Sequence, residues 1–142
     1  MARILRDVLN MSIATLIAQR GTCTRAQVGC VITIDNRIVS TGYVGSPSGL
    51  PHCLDDGCII GLDGGCTRTS HAEAGAIAFA ARKGISLEGS TMYVTLSPCT
   101  SCAKLIINAG IKRLFYLKQY RDISGLELLG KAGIHCRIMG VE

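Results

Sequence analysis

The chain has 142 residues, a net charge of +5, and 48% hydrophobic against 18% charged residues. This length predicts one domain over residues 1–142, and the apolar composition excludes a disordered polypeptide. No apolar run reaches the roughly 20 residues that cross a bilayer, and the N-terminus lacks the apolar stretch of a signal peptide. Basic residues form no long run and Trp is absent, which disfavours nucleic acid as a partner. We therefore expect a cytoplasmic protein with no membrane partner and a small anionic ligand.

A helix and a hairpin are predicted in the first half of the chain. Apolar residues recur at helical spacing over residues 4–17, which predicts an amphipathic helix that ends at Gly21. The apolar positions are Ile4, Leu5, Val8, Leu9, Ile13, Leu16 and Ile17. Two β-branched runs follow at 28–34 and 37–43, and Asp35-Asn36 between them suits a tight reversal. Residues 45–69 then form a loop so long that we expect it to be functional or stapled.

Strands and helices alternate in the second half of the chain. A helix is predicted over residues 72–82, with Ser70 as its N-cap and Gly84 after its end. Strands at 91–96, 112–117 and 134–139 follow, with helices at 99–108 and 124–131 between them. A helical connection is what parallel pairing requires. The predicted fold class is therefore α/β: a three-layer α/β/α sandwich with a mixed five-stranded sheet.

Two short motifs carry residues suited to a metal ion. His71-Ala-Glu73 begins one predicted helix, and Pro98-Cys99-Thr-Ser-Cys102 begins the next. Cys99 and Cys102 lie three residues apart on one helical face, so both sulfurs can reach one ion together with His71. Three protein ligands leave the fourth tetrahedral position free, which distinguishes a catalytic zinc site from a structural one. Zinc also makes hydroxide available at neutral pH.

Glu73 is the predicted catalytic residue. Its carboxylate can act as general base and general acid if the first helical turn places it beside the zinc-bound water. Taken alone, Cys-x-x-Cys is often a structural zinc knuckle or a redox pair, and His-Ala-Glu is usually a polar helix start. Together, in this order, they form the signature of the zinc nucleobase deaminases.

Longer stretches resemble the deoxycytidylate deaminase family within the cytidine deaminase superfamily. The likeness covers about residues 23–139 and includes Val28-Gly29, the segment 42–47, both metal motifs and the strand that precedes Cys99. The loop with His52, Cys53 and Cys58 looks like this family and unlike tRNA adenosine deaminases.

The resemblance implies hydrolysis of deoxycytidine monophosphate (dCMP) to deoxyuridine monophosphate (dUMP) and ammonia, which supplies thymidylate synthesis. It also implies a homo-oligomer, often a hexamer. Many members are activated by deoxycytidine triphosphate (dCTP) with Mg²⁺ and inhibited by deoxythymidine triphosphate (dTTP). Phe79 and Arg82 fall where the family has regulatory and subunit contacts; a core aromatic and a solvated charge are the alternatives.

Four further residues fall at substrate-binding positions of the family. The carbonyl of Ser97 is expected to accept a hydrogen bond from the substrate amine, and the ring of Tyr120 to stack on the pyrimidine; a core tyrosine is the alternative. Ala72 belongs to the same set. Val44 departs from the pattern, because the family usually has an asparagine there that binds a sugar hydroxyl, and valine has neither donor nor acceptor. Gly75 also replaces a usual asparagine.

The remaining cysteines predict a second, structural zinc site. Its candidate ligands are Cys23, Cys53, Cys58 and Cys66, with His52 beside them. Four thiolates around one ion would order the long loop, whereas the alternative is that they are free buried cysteines. Cys23 and Cys53 match positions that bind a second zinc in some phage members of the family. Cys30 and Cys136 lie in predicted strands and are expected in the core.

Two other classes of function remain open at this point. One is a related deaminase that acts on another cytosine nucleoside or nucleotide, or on a tRNA adenosine. The other is a non-catalytic binding module that zinc only stabilises. Glu73 argues against the second class, since a structural site has no use for a carboxylate outside the ligand set.

Overall fold

Five strands form one mixed sheet in the order β2-β1-β3-β4-β5, in a computed structural model that describes residues 2–140. The strands are β1 (Gly29–Ile34), β2 (Arg37–Tyr43), β3 (Thr91–Leu96), β4 (Arg113–Lys118) and β5 (His135–Ile138). Strand β1 pairs antiparallel with β2 and β3, while β3–β4 and β4–β5 are parallel. The predicted order of a hairpin followed by parallel strands is confirmed.

Helices cover both faces of this sheet. They are α1 (Arg6–Ala18), α2 (Cys53–Asp56), α3 (Ala72–Arg82), α4 (Thr100–Ala109) and α5 (Ser124–Lys131). One hydrophobic cluster joins α1 to the sheet through Met11, Val31 and Phe115. The larger cluster joins α3, α4 and α5 to the opposite face, where alternate strand residues such as Ile32 and Met92 point. This is the predicted three-layer α/β/α sandwich.

The hairpin turn has the conformation that its sequence predicts. Asp35 and Asn36 have φ values of 50° and 64°, the left-handed region that a two-residue turn of type I′ requires and that Asp and Asn tolerate. The turn lies at the end of the sheet opposite to Gly29 and Tyr43, which pair with each other.

The buried face of α1 is not the apolar face that the periodicity predicted. Helix α1 is present, but Ile4, Leu5 and Leu16 are exposed, and the residues that face the sheet are Asn10, Met11, Ala14 and Ala18. The reason is close contact with bare backbone, because a Cβ on Gly29 would lie 1.9 Å from the carbonyl oxygen of Ala14. Only small side chains fit at that contact, so Ile4, Leu5 and Leu16 point outward, while Ile13 and Ile17 are partly buried beside Met11.

The starts of α3 and α4 also differ from the prediction. Ser70 does not cap α3; it exchanges backbone hydrogen bonds with Gly45, and His71 is the N-cap residue in extended conformation. Likewise α4 begins one residue later than predicted, with Cys99 as an extended N-cap residue. Neither His71 nor Cys99 makes a side-chain capping bond. Both side chains therefore remain available as ligands.

The long segment 45–69 contains more structure than a loop prediction implies. Helix α2 lies within it, and an isolated bridge joins Ile60 to Cys66. Within residues 2–140, no helix has both the length and the apolarity needed to cross a bilayer.

Candidate active site

The site lies at the edge of the sheet where β2, β3 and β4 end and β1 begins. Parallel and antiparallel pairing bring Gly29, Tyr43 and Leu96 to this edge, and the connections to α3 and α4 lead there. Crevices outside the carboxyl ends of strands are where α/β sheets bind ligands. A cavity of about 320 Å³ opens at this point, a volume in the range of small-molecule sites.

His71 and Cys99 line the cavity, and Cys102 lies beside them. The Nδ1 atom of His71 lies 3.3 Å from Sγ of Cys102 and 3.5 Å from Sγ of Cys99, and the three ligand atoms lie within 4.8 Å of one another. Ligands about 2.0–2.3 Å from a tetrahedral zinc ion are separated by roughly 3.5 Å. One imidazole and two thiols are also donors that zinc prefers. This donor set fits a zinc ion with three protein ligands.

Hydrogen bonds among these groups prepare them as ligands. The hydrogen bond from Cys102, together with one from His71, lowers the pKa of the Cys99 thiol far below its usual range. The same contact raises the pKa of Cys102, as does its burial. Its hydrogen bond to Cys99 raises the pKa of His71. A lowered pKa favours the thiolate form of Cys99, which is the form that binds metal.

Glu73 lies beside this group, within the first turn of α3. It is only 4% exposed and lines the cavity together with His71 and Cys99. Burial raises the pKa of its carboxyl group, an effect that the nearby His71 partly offsets. Residues two apart do not share a helical face, but His71 precedes the helix in extended conformation. This backbone geometry lets both side chains reach one cavity.

A hydrogen bond joins Ser97 and Tyr120, two of the predicted substrate-binding residues. Ser97 is buried, its N–H donates to the carbonyl of Lys118 over 2.9 Å, and its Oγ accepts a 2.7 Å hydrogen bond from the N–H of Tyr120. Tyr120 lines the cavity and is 39% exposed, so it is not the core tyrosine of the alternative interpretation. The structure therefore holds Tyr120 at the cavity wall.

The other predicted residues fall in different places. Val44 is buried and lines the cavity, whereas Ala72 is fully buried and the cavity wall of the described residues does not include it. Phe79 is 45% exposed on α3, with Nζ of Lys83 5.9 Å from its ring centroid, so it is not a core aromatic. Arg82 is exposed at the end of the same helix.

The loop cysteines form a second group next to the cavity. Ligand atoms of Cys23, Cys53 and Cys58 lie within 4.8 Å of one another, and the Sγ atoms of Cys53 and Cys66 are 3.6 Å apart. Burial raises the pKa of Cys53. Burial also acts to raise the pKa of Cys66, but backbone hydrogen bonds more than offset it and lower that pKa. His52 precedes α2 and lies outside this group.

The eight cysteines in the described part of the chain are all free thiols. Cys30 is fully buried in the core, as predicted, and Cys136 is half-buried on β5. Burial raises the pKa of both. Neither is an available ligand.

Sequence reasoning missed several residues of the cavity wall. They are Arg25, Ala26, Val28, Gly65, Thr69 and Leu96. Antiparallel pairing of the first and third strands would have placed Val28 and Leu96 at the site edge. The signal for Arg25 was its position two residues after the predicted ligand Cys23.

Residues 6–118 match the model of the cytidine and deoxycytidylate deaminase zinc-binding region. The chain is 41% identical to ComE operon protein 2 of Bacillus subtilis over 94% of its length and 71% of that protein. It is 37% identical to deoxycytidylate deaminase of Enterobacteria phage T4, covering 78% of this chain and 76% of that one. The crystal structure of dCMP deaminase from cyanophage S-TIM5 in complex with dCMP and dUMP superposes with a TM-score of 0.85 at 30% identity, covering 98% of this chain and all of that one.

The fold and the site thus define a deaminase of the zinc-binding type. More particularly, this chain belongs to the cytidine and deoxycytidylate deaminase family.

Proposed function

We propose that this protein is a zinc-dependent enzyme that hydrolyses dCMP to dUMP and ammonia, with residues 1–142 acting as one catalytic domain. The observation that carries the proposal is the buried carboxylate of Glu73 on the wall of a cavity that His71 and Cys99 also line. Relatives in phage T4 and cyanophage S-TIM5 bear the name of this activity. All the cysteines are free, which supports a reducing, cytoplasmic location.

The residues divide the chemistry among them. We assign His71, Cys99 and Cys102 as zinc ligands; zinc, when bound, supplies a Lewis acid that lowers the pKa of water towards about 7. The carboxylate of Glu73 accepts a proton from the attacking water. It delivers that proton to the ring nitrogen, and then transfers the second proton of the water, from the hydroxyl group added to the ring carbon, to the leaving amine, which departs as ammonia. Burial of Glu73 keeps bulk water away from these transfers.

Recognition of the base and sugar falls to the rest of the wall. We propose that Tyr120 stacks on the pyrimidine and that the Ser97 carbonyl accepts a hydrogen bond from the amine, which selects cytosine over uracil. The N–H of Ala72, at the start of α3, lies close to Glu73 in the chain and is assigned to substrate contact through its backbone. Val44 offers no hydrogen bond, so other groups must bind the sugar hydroxyl.

We further propose a second, structural zinc held by Cys23, Cys53, Cys58 and Cys66. Their proximity supports a closed site of four sulfur ligands. Because Cys23 and Cys66 also line the cavity, this ion would fix one wall of the active site.

Replacing Cys53 tests the second zinc. We expect Cys53→Ser to lower the zinc content from about two ions per chain to about one and to lower the melting temperature by at least ~10 °C, since structural zinc contributes to folding directly. Cys136→Ser, which removes a half-buried thiol outside the group, should leave the metal content unchanged. Wild-type protein that binds a single zinc ion, by elemental analysis, would contradict the assignment.

The exposed apolar residues support a homo-oligomer, for which we favour a hexamer. Ile4 and Leu5 just before α1, Leu16 on α1 and Phe79 on α3 are all exposed. Exposed apolar residues of this kind commonly mark a surface that a second protein chain covers.

We assign Phe79 and Arg82 to subunit or effector contacts and propose regulation by dCTP with Mg²⁺ and by dTTP. Light scattering with and without each nucleotide tests both proposals.

A substrate comparison tests the proposed reaction. Zinc-loaded protein should convert dCMP faster than CMP, deoxycytidine, cytidine or a tRNA anticodon stem, as followed by ultraviolet absorbance or by base analysis of the RNA. Faster turnover of one of the other compounds would assign the chain to a different branch of its family. No turnover of any of them would favour the non-catalytic binding module.

A further inference from the structure

Helix α5 begins directly against the backbone of the second metal motif. A Cβ added to Gly125, the second residue of this helix, would overlap the carbonyl oxygen of Pro98. It would also lie 2.9 Å from the carbonyl carbon and 3.0 Å from the carbonyl oxygen of Cys99. Gly125 is buried at this contact and Pro98 is fully buried. Only a residue without a side chain lets the helix approach Cys99 so closely.

The contact meets Cys99 at the peptide group that starts α4. The carbonyl oxygen of Cys99 accepts a 2.9 Å hydrogen bond from the N–H of Ala103, the first hydrogen bond of the helix that carries Cys102. The Sγ atom of Cys99 lies 3.5 Å from Nδ1 of His71. The position of this one peptide group therefore sets where two of the three proposed ligands stand relative to the third.

The connection from β4 to α5 holds the same motif at a second point. The N–H of Ser97 donates to the carbonyl oxygen of Lys118 over 2.9 Å, and the N–H of Tyr120 donates to Oγ of Ser97 over 2.7 Å. Residues 118–125 thus contact residues 97–99 from one end to the other. The residue just before the motif is fixed by hydrogen bonds, and Cys99 by close packing.

Added bulk at Gly125 should move Cys99 more than it moves α5. The helix is anchored in the core by Leu129, which is fully buried, and its start is fixed by a 2.9 Å hydrogen bond from the N–H of Ser124 to the carboxylate of Asp122. Cys99 is half-buried and borders the open volume of the cavity, so its backbone can yield into that space. Such a shift changes the distances among the ligand atoms, on which zinc affinity depends.

We propose that Gly125 is a positioning residue for the metal site, because the start of α5 fixes Cys99 where it can share one ion with His71 and Cys102. This inference rests on the proposed function for the presence of that ion. It assigns a role in metal binding to a residue that has no ligand atom and does not belong to the cavity wall of the described residues.

Cobalt binding tests this role, since Co²⁺ can replace zinc and its visible absorption bands report the geometry of its ligands. Cobalt-loaded protein titrated with a chelator of known affinity gives the dissociation constant. The absorption that is missing from His71→Ala identifies the active-site ion and separates it from cobalt bound to the loop cysteines. We expect Gly125→Ala to weaken cobalt binding at the active site by about 10- to 100-fold, the usual cost of disturbing the support of a metal ligand, and to shift its bands.

Two controls separate this effect from a general loss of stability. Gly130→Ala adds the same methyl group to α5 at a position where a Cβ meets nothing within 4 Å. Met11→Ala removes a buried side chain on the opposite face of the sheet, which lowers the melting temperature as core truncations do. Both variants should keep the wild-type cobalt affinity and bands.

The inference is overturned if Gly125→Ala keeps the wild-type affinity and bands, or if either control loses as much affinity. Should Gly125→Ala fail to fold, Asp122→Ala takes its place, because loss of the hydrogen bond to Ser124 loosens the start of α5. It should weaken cobalt binding by about 3-fold, the effect of one modest hydrogen bond, and unchanged binding would then overturn the inference. Failure of the proposed function shows separately, as absent dCMP turnover in wild-type protein that has the active-site cobalt bands.

Discussion

Replacement of Glu73 by glutamine should reduce the turnover number for dCMP by at least about 10³-fold while zinc remains bound. The amide has the size of the carboxyl group, so the buried position next to His71 stays filled. It cannot accept a proton from water or pass one to the ring nitrogen, and no other carboxylate lines the cavity wall in the described residues. A loss of this size corresponds to about 4 kcal/mol in the activation free energy.

Two measurements make this prediction specific. Elemental analysis should find the wild-type zinc content in Glu73→Gln, because the proposed ligands are His71, Cys99 and Cys102. Steady-state kinetics should show the loss in kcat, and the dissociation constant for dUMP should change little. Wild-type turnover in the variant would refute the assigned role, whereas loss of zinc would show that Glu73 belongs to the ligand set.

Replacement of Gly42 by alanine should destabilise the protein by about 3 kcal/mol, at the upper end of the usual cost of overpacking. A Cβ at this position would lie 2.1 Å from the carbonyl oxygen of Ala72 and 2.8 Å from the backbone nitrogen of Ala76. Both neighbours are backbone atoms of α3 and cannot rotate away. The helix must therefore move off the sheet, and it carries Glu73 and follows His71.

Thermal unfolding and turnover together test this prediction. We expect a fall in melting temperature of roughly 10 °C and a loss of activity of about 100-fold, the effect of displacing a catalytic group by about 1 Å. The control is Gly75→Ala on the same helix, where a Cβ meets nothing within 4 Å. Because alanine favours a helix interior, this variant should be more stable by about 0.5–1 kcal/mol. Equal stability of Gly42→Ala and wild-type protein would contradict the close contact.

The three layers of the fold could be predicted from the sequence, because the patterns that indicate each strand, helix and turn are local. Alternating strand and helix patterns predicted the parallel half of the sheet, and Asp35-Asn36 predicted the hairpin turn, which its φ values confirm. The buried face of α1 was predicted incorrectly. Which side of a helix faces a sheet depends on distant residues, here Gly29 against Ala14, and periodicity does not contain that information.

The site was predictable to the extent that its residues lie in short motifs. His71, Glu73, Cys99 and Cys102 were proposed from spacing, and the structure brings all four together. The way in which Glu73 and His71 share a cavity was not predictable, because it depends on an extended backbone before α3. Arg25 was missed as a residue of the cavity wall because its only sequence signal is its nearness to Cys23, and its contact with the distant Gly64 exists only in the folded chain.

Apart from Leu96 at the end of β3, the cavity wall consists of helix starts and connecting segments, and this has an evolutionary consequence. The proposed metal ligands and Glu73 stand at helix starts, whereas Arg25, Val44, Gly65 and Tyr120 belong to connecting segments. Connections tolerate substitution and insertion far better than the elements they join. Substrate range in this lineage can therefore diversify by exchange of loop residues while the hydrolytic chemistry is inherited unchanged.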